Sequence, residues 1–357
     1  MAEAEAAISG LNTIAVALAD TEALARLLLR AESVASSRIE GLEVGARELL
    51  RTEAAQAMGV HSRDVTANEV LGNITAMNGA LLAVGPGDEI TLDTLLAFHS
   101  RLMANAPSET GAGALRTSDY NPCSAAFVPP PHELVPELMA DLCSFCNEDT
   151  LPAVAQAALA HAQFETIHPF GDGNGRTGRG LIHLVLRRRG LASRILPPVS
   201  LVLATWANDY LDGLAATRYQ GPVDGEDAHT GLNLWIGRFA GACVRAVQDA
   251  ATFEARVQEL EGEWRIRLGQ VRADSAADLL LRALPGAPVL TVSSAAELVG
   301  RTFPAVNDAI TRLAEAGVLT QISIGKRNRA FEAKEVIDAF TSLERQLASP
   351  VGDTRSS

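Results

Sequence analysis

One stretch limits what this chain can fold into more than any other: His168-Pro-Phe-Gly-Asp-Gly-Asn-Gly-Arg-Thr-Gly-Arg179. Apolar residues recur at helical spacing before it, over 152–167, and after it, over 180–189. The segment is therefore a tight turn joining two helices. Gly171, Gly173 and Gly175 permit positive φ and close approach of the backbone to a ligand. A glycine turn feeding a helix N-terminus is a nest for anions, suited to a di- or triphosphate. Arg176 and Arg179 fall on neighbouring positions of the new helix's first turns. Cations there oppose the macrodipole, a conflict that a polyanion seated between them and the nest resolves. Asp172 offers a hard oxygen ligand suited to Mg²⁺. His168 is the one group in the segment whose ordinary pKa suits a general base at neutral pH. Base, metal ligand, nest and arginine pair together predict phosphate-transfer chemistry.

The surroundings are helical. Only 4% of the 357 residues are aromatic while 47% are hydrophobic, a balance that favours helices over a sandwich or barrel. The spacing predicts helices over 20–50, 91–103, 132–146, 199–219 and 232–260, the last running on towards 284. Thr66-Ala-Asn-Glu69 predicts a capping box opening a further helix. Between 106 and 131, Pro107, Gly111, Gly113, Pro122 and Pro129–Pro131 break helical pattern. A short β-hairpin or extended flap is expected there, around 115–128. After the linker Leu284-Pro-Gly-Ala-Pro288, helix–turn–helix and then strand–turn–strand form the pattern of a winged helix. The expected organisation is an N-terminal helical region (1–105), a catalytic core (106–250), connecting helices (251–283), a winged module (284–347) and a loose tail (348–357).

Charge and cysteine usage exclude some classes. With 43 Asp+Glu against 30 Lys+Arg, the net charge is −13, which disfavours whole-surface binding of nucleic acid. The winged module is near neutral. Asn307, Thr311 and Arg312 on its second helix, with Lys326, Arg327 and Arg329 on its wing, leave DNA contact and protein contact both open. No apolar stretch reaches the ~18 residues that cross a bilayer, and the acidic start reads as no export signal, so a cytoplasmic protein is expected. Cys143-Ser-Phe-Cys146, with Cys123 and Cys243 isolated, reads as reduced core thiols. His161, Glu165 and His168 offer a rival reading as a zinc site on one helix face. Pro169 disfavours helical geometry at His168, and zinc leaves the nest and arginines unexplained.

The His168–Arg179 segment resembles the complete signature of the Fic (Fic/Doc) family, with no departure at a defining position. Gly113-x-x-Arg116 leading to Phe127-Val-Pro-Pro130 is similar to the family's flap, and Ala160-His-x-x-Phe-Glu165 to the helix entering the motif. The resemblance implies a mainly α fold and transfer of AMP from ATP to a Ser, Thr or Tyr hydroxyl of a target protein or of the chain itself. It implies that His168 deprotonates the hydroxyl and that Asp172 holds Mg²⁺. Asn174 and the N–H groups of Gly173 and Gly175 would hold the phosphates, Arg176 and Arg179 would grip the phosphate chain, and Phe170 would anchor the loop in the core.

Ser36-Ser-Arg-Ile-Glu40-Gly41 is similar to the inhibitory helix of regulated members of class II. That implies Glu40 pairs with Arg179 where the γ-phosphate must bind, with Ser36 on the same face. In some such relatives the carboxylate also helps water remove AMP, so removal as well as transfer is an expectation. The resemblance leaves a homodimer open. The alternative from another class is a DNA-binding regulator whose Fic core senses nucleotide.

Overall fold

The computed structural model describes residues 1–17, 21–60, 62, 64–106, 111–119, 127–324 and 328–348. The N-terminal half contains helices α1 (Ala2–Ala17), α2 (Thr21–Ile39), α3 (Ala46–Ala57), α4 (Val65–Ala83) and α5 (Leu92–Met103). Then follow α6 (Val135–Asn147), α7 (Ala153–Ile167), α8 (Asn174–Arg188), α9 (Val199–Thr205), α10 (Ala207–Ala216) and α11 (Glu226–Leu268). The C-terminal part holds α12 (Ala276–Ala283), β1 (Val289–Leu290), α13 (Val292–Val299), α14 (Phe303–Glu315), β2 (Thr320–Ile324), β3 (Asn328–Glu332) and α15 (Lys334–Ala348). The mainly α expectation holds. The strands among the described residues form one antiparallel sheet, order β1–β3–β2, with Gln321 opposite Phe331.

Several boundaries differ from the sequence expectation for local reasons. The apolar run over 20–50 is two helices, because Gly41 takes φ +80° and ends α2. The fourth helix is capped by Asp64, whose side chain accepts from Ala67 N–H at 3.0 Å. Thr66 and Glu69 are thus inside the helix rather than at its cap: an Asp carboxylate caps as well as a Thr hydroxyl, and Glu69 turns instead towards Arg176. The long helix α11 starts six residues earlier than the apolar pattern suggests and runs unbroken past residue 250. Segment 111–119 and residues 127–131 are irregular; the middle of the expected flap, 120–126, lies outside the described residues. Also outside them are Cys123, Lys326, Arg327 and 349–357 of the expected tail.

Helix α7 and the front of α8 sit at the centre of the larger core. Phe98, Phe164, Phe170, Trp235 and Phe239 are buried around them. A second core joins α11, α12 and the C-terminal elements, and α2 enters it with Leu24, Leu27, Leu28, Ala31 and Ala35. Burying an aliphatic side chain contributes ~1.5–3 kcal/mol, so this stripe seats α2 firmly. The helix also buries a polar stripe, Glu32, Ser33, Ser36 and Ser37, which requires partners. Glu32 accepts from Ser200 N–H (2.7 Å) and Ser200 Oγ (2.5 Å) and lies 2.7 Å from His183 Nε2. Asn73 of α4 donates to Ser33 O and Ser37 Oγ. Directional contacts of this kind fix the register of α2 where apolar packing alone would let it slide.

Candidate active site

The last turn of α2 closes through two backbone bonds, Gly41 N–H to Arg38 O (2.9 Å) and Leu42 N–H to Ser37 O (3.0 Å). These are the two bonds of a Schellman motif, which needs a residue of positive φ, and Gly41 supplies it. Glu40 is thereby the C-cap, one position beyond the helix proper. A carboxylate at a helix C-terminus meets the negative end of the dipole. Arg179 answers it, with Nη2 donating to Glu40 Oε1 (2.8 Å) and to the Ser36 carbonyl (2.7 Å) and Nε to Ser36 Oγ (2.9 Å). Burial works to raise the Glu40 carboxyl, but the Arg179 guanidinium overrides it and holds the group below its ordinary value. Arg179 is itself 1% exposed, so most of its hydrogen-bonding capacity is spent on α2.

The segment between α7 and α8 is a tight turn. Helix α7 ends at His168, which takes the left-handed conformation, φ 51° and ψ 61°, a strain of ~1–3 kcal/mol for a non-glycine residue. Pro169 keeps the chain from continuing the helix, and Gly173, φ +73°, opens α8. Phe170 is fully buried and stacks on His99 at 3.7 Å. Asn174 departs from its expected role. Its amide donates to Phe170 O (2.8 Å) and accepts from Phe170 N–H (2.9 Å), so its side chain closes the loop rather than facing a ligand. Above the start of α8, a Cβ placed on Gly175 would stand 2.0 Å from Glu40 Oε1. The Glu40 carboxylate is therefore packed onto Gly175 at the helix N-terminus, the seat an anion would take.

Arg176 is buried at 3% exposure, yet its Nε and Nη1 have no hydrogen-bond partner among the described residues. The nearest carboxylates are Glu69 at 3.7 Å and Asp172 at 3.9 Å. Buried N–H groups left this way cost about 1–3 kcal/mol each, a debt that phosphate oxygens would cancel. Asp172, half exposed, accepts from Gly173 N–H with Oδ1 at 2.6 Å and keeps Oδ2 for a hard cation. The donor set thus fits a magnesium nucleotide.

Around His168 lie groups of both signs. Burial and then Arg116 push its imidazole down to about 4, with Glu40 working against them, so the ring is neutral at pH 7 and able to accept a proton. Burial pushes the Glu165 carboxyl up to about 7 although Arg179 pulls the other way. Tyr210 OH reaches His161 Nε2 (2.9 Å) and Arg179 Nη1 (3.5 Å). His99 Nδ1 accepts from Gly113 N–H and its Nε2 meets Asp172 O at 3.0 Å, tying α5 to both segment 111–119 and the loop. Sequence reasoning missed His99 and Tyr210, because each is a single polar residue inside an ordinary amphipathic pattern.

Other candidates are dispersed. With Nε2 of His161 engaged by Tyr210, the helix-face zinc set does not assemble. Among the described residues the metal-capable cluster is the exposed trio Asp119, His132 and Glu133. Cys143, Cys146 and Cys243 are buried and unbridged, as expected of core thiols. In the C-terminal elements Arg312 Nη2 donates to Gln270 O (3.3 Å), and Arg329 to Gln321 Oε1 (2.9 Å). Among the described residues no helix is long and apolar enough to cross a membrane.

Residues 89–186 match the Fic/DOC family and residues 1–82 the Fic/DOC family N-terminal region, together about half the chain. The protein adenylyltransferase fic-1 of Caenorhabditis elegans is 38% identical over 127 residues, 34% of this chain and 23% of that protein. A probable protein adenylyltransferase of Aquifex aeolicus is 43% identical over 77 residues, 21% of this chain and 24% of that one. The chain spans about a quarter of the length of these curated relatives. A Fic family protein from Desulfovibrio desulfuricans has the same fold, with TM-score 0.52 and 24% identity over 86% of this chain and 87% of that one.

Proposed function

The chain belongs to the Fic/DOC family, and from that premise we propose that it is an autoinhibited protein adenylyltransferase using Mg²⁺·ATP. In the proposed reaction a Ser, Thr or Tyr hydroxyl of a protein gives its proton to His168. The oxygen bonds to the α-phosphorus, the bond from that phosphorus to the bridging oxygen breaks, and pyrophosphate leaves. The α8 N-terminus and the Gly173–Gly175 backbone receive the phosphates, and Arg176 brings two buried nitrogens, Nε and Nη1, that have no hydrogen-bond partner among the described residues. Asp172 would hold Mg²⁺, which neutralises phosphate charge when bound. Positioning supplies most of the acceleration in such transfers, and a placed base adds ~10²–10⁴.

The single observation that carries the autoinhibited form is the Glu40 carboxylate, seated on Gly175 and paired to Arg179 at 2.8 Å. A nucleotide must displace it before a terminal phosphate reaches Arg179. Removal of AMP, with the Glu40 carboxylate steering a water onto the AMP–protein bond, is also part of the proposal. The test is incubation of wild type, Glu40→Gly and Glu40→Gly/His168→Ala with isotopically labelled ATP and lysate, then mass spectrometry. Label on protein with Glu40→Gly alone is expected. No label with any of the three refutes the activity.

A further inference from the structure

Arg116 stands outside the His168–Arg179 segment, in the irregular residues 111–119, and yet bonds the carbonyls of Ile167, His168 and Pro169. Its side chain is 3% exposed. Its backbone N–H donates to Pro169 O (2.9 Å), Nε to His168 O (2.9 Å), and Nη2 to Pro130 O (2.5 Å) and Ile167 O (3.4 Å). Nη1 donates to Ser118 O (3.3 Å). The guanidinium fork thus holds consecutive carbonyls at the end of α7 and fastens them to Pro130, where segment 127–131 returns to the core. The His168 carbonyl is the one that the left-handed turn, φ 51°, rotates out of the helix. A helix end turned this way leaves carbonyls to be satisfied, and a planar fork can serve several at fixed angles where an ammonium cannot.

We infer that Arg116 is the positioning residue for His168, locking the left-handed turn that aims the imidazole and joining it to the segment that borders the site. The inference deepens the adenylyltransferase reading and rests on it for the role of His168. Its charge works alongside its shape. The charged groups facing His168 are Arg116 and Arg218, which disfavour protonation, and Glu40, which favours it. Arg218 lies over the Phe127 ring at 3.7 Å, so both cations border the same segment.

The test uses the full chain carrying Glu40→Gly, with Arg116→Lys and Arg116→Met compared against it. His168 is titrated by ¹³C-imidazole NMR, its signal assigned by loss in His168→Ala, and AMP incorporation is followed in parallel. In Arg116→Met the His168 midpoint is expected to rise by about 1 in pH, the effect of losing one nearby like charge. AMP incorporation should fall about 10²-fold, the cost of a misplaced group. In Arg116→Lys the midpoint should stay with the parent while the rate still falls, because charge is kept and the fork lost. A folded Arg116→Met with unchanged midpoint and rate overturns the inference. If Arg116→Met does not fold, parental rate in Arg116→Lys overturns it. If Glu40→Gly itself incorporates no AMP, the adenylyltransferase reading fails, and the NMR midpoint alone then supports or overturns the placing of Arg116.

Discussion

Replacing Glu32 by Ala should loosen α2 without touching the nucleotide seat. Glu32, His183 and Ser200 are all fully buried. The carboxylate satisfies Ser200 N–H, Ser200 Oγ and His183 Nε2 at 2.5–2.7 Å. Among the described residues His183 Nδ1 has no hydrogen-bond partner, so the ring would lose the contact that Nε2 makes there. Each stranded buried group costs about 1–3 kcal/mol, and removing one member of a buried pair costs about 3–5 kcal/mol in all. Against a net stability of ~5–15 kcal/mol, that is a large fraction. At about 2 °C per kcal/mol for a chain of this size, the melting temperature should drop by roughly 6–10 °C. Glu40 lies two turns along from Glu32, so the same loosening should let Glu40 leave Gly175 more often. Calorimetry read beside AMP incorporation checks both halves, with transfer expected above wild type and below Glu40→Gly. A variant that melts with wild type and stays equally silent would refute the reasoning.

Other perturbations separate the remaining parts. Gly41→Val should strain the Schellman turn by about 1–2 kcal/mol and partly release AMP incorporation while lowering the melting temperature by a few degrees, read by scanning calorimetry and radiolabel. Asn174→Ala should open the Phe170–Asn174 loop and cost about 1–3 kcal/mol, with transfer lost even in the Glu40→Gly background; unchanged transfer there would mean that the loop needs no such closure. The pH dependence carries a definite sign. Glu165, raised to about 7, binds more protons folded than unfolded between its ordinary value of 4.5 and 7, so its contribution is full below that window and lost as pH rises through 7. Glu165→Gln should therefore raise the melting temperature more at pH 8 than at pH 5. His168, lowered to about 4, has the opposite sign: its contribution is present above its ordinary 6.5 and lost as pH falls towards 4.

What the sequence made legible was what rests on short-range spacing. The nest, both arginines, Asp172 and His168 occupy one segment, and Ser36, Glu40 and Gly41 occupy another, so neighbouring positions identify them without knowledge of the fold. Even the role of Gly41 is local, a positive φ at a helix end. The sites that escaped notice depend on which helix lies beside which. His99, Asn73, Tyr210 and Glu32 each sit in an amphipathic pattern where a lone polar residue reads as background, and each acquires a role only when a distant part of the chain brings its partner. Spacing places Asn174 in the segment but cannot tell that its amide turns back to Phe170. Helix ends slipped for a related reason. Asp64 and Thr66 are both competent caps, and the Asp64 carboxylate takes the role on Ala67 N–H. Of the C-terminal elements, the two helices and the strand pair β2–β3 follow the order expected, whereas β1, two residues long, and α15 have no counterpart in the pattern read from the sequence.

The central claim is that Glu40 and the terminal phosphate of ATP compete for Arg179 at the start of α8. A crystal structure of the Glu40→Gly chain with Mg²⁺ and a non-hydrolysable ATP analogue, beside wild type treated identically, measures that competition directly. The account predicts γ-phosphate oxygens within hydrogen-bonding distance of Arg179 in the variant, and an Arg179 still held by Glu40 in wild type. A γ-phosphate on Arg179 in wild type with Glu40 still seated on Gly175 would contradict it.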